Sequence, residues 1–216
     1  MYDNEYTQEL EKVLYRVSKT LLRYYYVTLG IVYICWAIWV SLMLLVMLIV
    51  AFTGVPYYVY YSIMIPSWLV MLVLNFKKIP EVIRGTVSLS GRPMELQILA
   101  RRIRRLSSIF WIAGVIVYIV MIVIIPLINK SYINTSSASG LIVLLATGNL
   151  GIFYSLKKYS GMCIKIPVII VLGMYIAALL LFAISGAVIF IWSYAVSVLV
   201  VSYLSFALYC LLLSIR

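Results

Sequence analysis

Residues 166–215 read IPVIIVLGMYIAALLLFAISGAVIFIWSYAVSVLVVSYLSFALYCLLLSI, fifty positions without a charged side chain. A helix rises about 1.5 Å per residue, so about 20 apolar residues cross the roughly 30 Å hydrocarbon layer of a bilayer. The stretch is too long for one span and long enough for two. Ser185-Gly186, near its middle, supplies the turn between them. A broken or re-entrant fifth segment is the alternative. The apolar residues run continuously and do not alternate, which selects helices over the strands of a barrel. Either must satisfy all its backbone polar groups internally, because lipid offers them no partner.

Outward from this stretch the same pattern repeats. The spans fall at about 24–52, 55–76, 108–128, 138–156, 166–184 and 187–215, with Pro56 opening the second and Pro66 expected to kink it. The chain of 216 residues is 66% apolar and 11% charged, against about 25% charged in a soluble domain. Sixteen of its 17 Lys and Arg residues and all six acids lie in 3–23, 77–105, 157–165 and at Arg216; Lys130 is the exception. Basic connections stay inside, so both termini and the connections after the second and fourth spans are expected to be cytoplasmic. The fold class is therefore an all-α integral membrane protein with six transmembrane helices, multi-pass in the plasma membrane. The division is 1–23 as an amphipathic cytoplasmic or interfacial helix and 24–216 as one transmembrane domain. The basic excess answers to topology and the anionic inner leaflet, with no nucleic acid as partner.

In 3–23, Leu10, Val13 or Leu14, Val17 and Leu21 recur at helical spacing, and the charges take the other positions. Such a helix lies in the membrane interface with its apolar side down, or docks on a partner. The charged start and long first apolar run do not form a cleavable signal peptide. Tyr24, Tyr25 and Tyr26, and Tyr57, Tyr58, Tyr60 and Tyr61, mark interfacial aromatic belts. Asn129-Lys130-Ser131 and Asn134-Thr135-Ser136 match the glycosylation acceptor pattern on the expected outer side, at Asn129 and Asn134.

Chemistry is sparse. The spans hold no carboxylate, the chain has no histidine, and the cysteines Cys35, Cys163 and Cys210 are widely separated. This argues against a zinc or haem-histidine site, a proton-coupled carrier and intramembrane hydrolysis. There is no phosphate loop of the GxxxxGK[ST] kind. No catalytic residue, metal site or cofactor is expected, and the protein is not read as an enzyme. Thr147 and Asn149 flank Gly148 and read as close helix packing, as do Ser193, Ser197, Ser202 and Ser205 in the last span. A Gly-to-Tyr pattern recurs at Gly30-Tyr33, Gly114-Tyr118 and Gly173-Tyr175.

The most distinctive connection is 77–107, which carries eight of the 17 basic residues. It contains Arg84-Gly85-Thr86-Val87 and Pro93-Met94, and then Leu96, Leu99, Ile103 and Leu106 at helical spacing with Arg101, Arg102, Arg104 and Arg105 between them. This reads as a basic amphipathic helix at the inner surface, with Pro93 in its first turn. The loop resembles the cytoplasmic connection of the type-2 ABC transporter permeases. In those, a basic residue and Gly-Thr precede a proline-aliphatic pair, with Glu81 here as the acidic member. The chain departs from that pattern at Ser88 and in the short Ser185-Gly186 link, where the family has a larger outer segment. The resemblance implies the membrane subunit of an ATP-driven exporter, working as a homo- or heterodimer with a separate ATP-binding cassette subunit. That subunit would dock on Arg84, Gly85, Thr86, Pro93, Leu96, Leu99, Arg101, Arg102 and Ile103. The alternative is a non-catalytic scaffold or assembly subunit of a membrane complex.

Overall fold

The computed structural model describes residues 2–54, 56–73, 93–160, 163–183 and 188–215. Six helices make up nearly all of it: α1 (Tyr2–Thr53), α2 (Tyr57–Val73), α3 (Pro93–Ile128), α4 (Ile133–Ser160), α5 (Lys165–Leu180) and α6 (Val188–Ile215). Short 3-10 turns follow α3 (Lys130–Tyr132) and α5 (Leu181–Ala183). Among the described residues there is no strand. Five helices are long and apolar enough to cross a membrane, within α1, α3, α4, α5 and α6. The second segment is described as 17 residues and contains Pro66 without ending there.

Three boundaries differ from the sequence reading, each for a local reason. The charged amino-terminal stretch and the first span are one unbroken helix of 52 residues. Nothing between Tyr2 and Tyr24 breaks a helix, since the first glycine is Gly30 and no proline precedes Pro56. The basic stretch from Pro93 is likewise continuous with the third span, in one helix of 36 residues. The fourth helix begins five residues earlier than expected. The hydroxyls of Ser136 and Ser137 donate to the Ile133 carbonyl at 3.2 and 2.6 Å, so these polar residues bond within the helix. α6 starts at Val188, and α1 stops where Gly54 takes a positive φ of 69°. The fifth segment is a helix to Leu180 and a 3-10 turn beyond it. The Ser185-Gly186 turn lies outside the described residues.

The two main helix pairs are antiparallel, while α4 and α6 run in the same direction, with Phe153 beside Phe206. α3 lies along α4, and α1 lies along α6; these are the two most extensive pairings. α4 also meets α5 and α6, while α2 touches α1, where the Ser67 hydroxyl donates to the Met43 sulfur at 3.6 Å. The α3–α4 seam is built from aromatic rings set against glycines. A Cβ placed on Gly148 would stand 2.5 Å from the Trp111 ring, one on Gly151 2.5 Å from Phe110, and one on Gly140 2.9 Å from Tyr118. In lipid, helices gain little from hydrophobic association, so such close approach supplies the contact energy. At the α1–α6 seam Gly30 is packed beneath Leu211 in the same way. The fully buried side chains include Phe153, Ile142, Leu156, Met174, Leu199 and Phe206, at the meeting of α1, α4, α5 and α6.

Candidate functional site

The interior polar atoms converge on α4, the most buried of the candidate spans and the least apolar. In hydrocarbon each polar atom needs an internal partner, and α4 shows where they are found. The Tyr33 hydroxyl of α1 donates to Asn149 Oδ1 at 2.7 Å, and Asn149 Nδ2 donates to the Leu145 carbonyl at 2.7 Å. Thr147 Oγ1 donates to the Val143 carbonyl at 2.7 Å and lies 2.9 Å from the Tyr175 hydroxyl of α5. The Ser139 hydroxyl donates across to the Ala178 carbonyl of α5 at 2.7 Å. Asn149 is thus an interhelical hydrogen-bonding residue and does more than permit close packing.

Aromatic rings wrap this network. Tyr33 stacks on Phe153 with centroids 6.0 Å apart and planes 7° apart, and meets Phe206 at 5.2 Å and Tyr203 at 5.8 Å. Phe153 and Phe206 close the other side at 5.0 Å. The arrangement can hold four helices in one register. Among the described residues no group of His, Cys, Asp and Glu could hold a metal.

Of the serines expected to pack in α6, only Ser202 is buried; Ser193 and Ser205 are half-buried and Ser197 is exposed. Ser197 and Ser205 donate back to the Ser193 and Val201 carbonyls. A cavity of about 270 Å3 opens between α1 and α6, lined by Ser41, Leu44, Val196, Ser197, Val200 and Val201. Its hydroxyls already bond their own helices, Ser41 to the Ala37 carbonyl at 2.8 Å.

The basic residues gather at one end of the bundle. Arg23 of α1, Arg101, Arg102 and Arg105 of α3, Lys157 and Lys158 of α4 and Lys165 of α5 are all exposed there, and Lys130 lies at the other end. Arg84, Gly85 and Thr86 lie outside the described residues. Pro93 is the first residue of α3, as its fixed φ favours. Leu96, Leu99 and Ile103 follow on the same helix, with Arg101 and Arg102 exposed between them.

The acceptor patterns differ in geometry. Asn129 is exposed and extended, with Oδ1 accepting from the Ser131 amide at 3.0 Å and hydroxyl at 2.8 Å. Asn134 sits in the first turn of α4, and the Ser136 of its pattern is fully buried.

Sequence reasoning did not single out Tyr33 or Ser139 as network members. A signal for the tyrosines existed: Tyr33, Tyr118 and Tyr175, the three that close the recurring Gly-to-Tyr pattern, all contact α4. Of the accompanying glycines, Gly30 and Gly114 sit at helix contacts, whereas Gly173 has nothing within 4 Å. Comparison with protein-family models, with curated proteins and with solved structures finds no match for this chain.

Proposed function

We propose that the chain is a six-span subunit of the plasma membrane with both termini cytoplasmic, and that it serves as the permease half of an ATP-driven exporter. A separate ATP-binding subunit docks on 77–107, and two permease chains pair. The observation that carries this reading is the continuity of α3. The stretch assigned to docking, from Pro93, and the apolar span ending at Ile128 are one helix. A push on its basic end therefore reaches the α3–α4 seam without a joint to absorb it. The 17 described residues of α2 reach the lower limit for a span of about 17–25 residues.

Ser107→Pro tests the coupling, because proline inside a helix removes a backbone bond and costs about 3 kcal/mol. The variant should still co-purify with the ATP-binding subunit and lose membrane-stimulated ATPase activity. Gentle-detergent purification that yields no ATP-binding subunit among partners identified by mass sinks the exporter reading.

Orientation has a built-in reporter. Cys163 is exposed in the connection between α4 and α5, Cys35 faces outward mid-span, and Cys210 is buried. An impermeant maleimide should label Cys163 in inverted membranes and not in intact cells, and Lys130→Cys should give the reverse. Labelling of Cys163 from outside reverses the assigned orientation.

The scaffold reading is favoured by a different observation. The bundle interior is closed by Tyr33, Asn149, Phe153 and Phe206, whose polar groups bond one another. Under that reading the co-purifying partners are structural subunits with no nucleotide-binding protein among them.

A further inference from the structure

We propose that the basic end of the α3–α4 hairpin is a binding site for a phospholipid carrying two phosphates. The register of the seam sets which cations meet. Phe110 lies on Gly151, Trp111 on Gly148 and Tyr118 on Gly140, so each step toward the start of α3 is a step toward the end of α4. Six or seven residues beyond Gly151 are Lys157 and Lys158. The same distance before Phe110 falls between Arg102 and Arg105. Arg101, Arg102 and Arg105 therefore bracket the two lysines at one level, and all five are exposed.

Among the described residues the acids lie off this level: Asp3, Glu5, Glu9 and Glu11 are in the first turns of α1, before Arg23, and Glu95 precedes Arg101 by six residues on α3. The five exposed cations, with Arg104 on the same turn of α3, exceed the charge of a single phosphate, and a headgroup with two phosphates matches them better. The site lies where the candidate spans of both helices terminate, at Arg105 and Lys158. Directly on the apolar side stand exposed Ile109, Ile112 and Tyr154, with the Tyr154 ring 5.7 Å from Phe110. A charged headgroup seat continuing into an outward apolar ridge fits a lipid and does not fit a free anion. Clusters of Lys and Arg at this depth attract anionic headgroups at about 1 kcal/mol for each cation, or about fivefold in affinity. The inference rests on the fold and not on the exporter reading.

The test places the full-length protein in phosphatidylcholine nanodiscs containing either cardiolipin or phosphatidylglycerol at matched phosphate content. Lipid retained after release is counted by native mass spectrometry. Cardiolipin should be retained over phosphatidylglycerol. Arg101→Gln with Arg102→Gln and Arg105→Gln should weaken retention about 100-fold, at about fivefold per cation, and Lys130→Gln should leave it unchanged. Lys157→Gln with Lys158→Gln, about 25-fold weaker on the same basis, is an independent reading should the arginine variant fail to fold. Helix content by circular dichroism reports whether each variant is folded. Equal retention of the two lipids overturns the proposal, as does displacement of cardiolipin by soluble pyrophosphate. So does an arginine variant that keeps its cardiolipin and loses a co-purifying protein, which would assign these side chains to protein docking.

Discussion

Gly148→Leu is expected to force α3 away from α4 and lower stability by about 3 kcal/mol or more, the upper end of overpacking costs. The first added carbon alone would stand 2.5 Å from the Trp111 ring, inside any allowed contact. Neither helix can yield easily. Trp111 is flanked on the same seam by Phe110 against Gly151 and by Gly114 against Leu144 and Thr147. α4 is tied on its other faces to Tyr33, Tyr175 and Ala178 through Asn149, Thr147 and Ser139. The measurement is the midpoint of unfolding in mixed micelles, followed by helix content and by Trp emission. Gly148→Ala should fall between wild type and leucine. Gly173→Leu, at a glycine with nothing within 4 Å, should leave the midpoint nearly unchanged. A tolerated Gly148→Leu would mean that the seam does not hold these helices together.

Asn149→Asp is expected to be the most damaging change in the polar network. A carboxylate at the centre of a span costs about 3 kcal/mol on insertion scales, and the aspartate also loses the Nδ2 donor's added bond to the Leu145 carbonyl. Asn149→Leu should cost less, about 1–2 kcal/mol, because it removes a charge-free partner and leaves the Tyr33 hydroxyl buried without its acceptor. Tyr33→Phe deletes the other side of that bond and should be milder still. A double cycle of Tyr33→Phe with Asn149→Leu isolates the pair. Zero coupling in that cycle would remove the interhelical role assigned to Asn149.

The legible part of this chain was its longitudinal order. Charge-free runs located α5 and α6 to within a few residues, because a span must be apolar over its whole length. Lateral neighbours were much harder to read. Nothing in a run of aliphatic residues says which face meets which helix when every face is compatible with lipid. Glycine gave a partial answer: Gly148 pointed to close packing, which the structure shows against Trp111 and repeats at Gly151 against Phe110. Polar residues gave another, since Asn149 and Thr147 stood out in the fourth segment, though their tyrosine partners are distant in sequence. Breaks were overestimated at both amphipathic stretches. A change from charged to apolar composition is not a break when every residue across it tolerates a helix, as between Arg101 and Ile112 of α3. Arg84, Gly85 and Thr86, proposed for docking on their sequence pattern, lie outside the described residues.

The position of α4 also has a meaning in time. It is the least apolar of the candidate spans, and its partners arrive on two schedules. α3 is synthesised just before it and is joined by only Asn129 and the Lys130–Tyr132 turn, so the pair can leave the insertion machinery as one hairpin. Tyr33, by contrast, is made early, while Asn149, Phe153 and Phe206 follow more than a hundred residues later. At roughly 5–20 residues per second, α1 waits about ten seconds or longer for the rest of its aromatic nest. During that interval its inward face is bare to lipid, and any quality-control factor that recognises an unfilled helix face has its longest opportunity there. Completion of α6 closes that window.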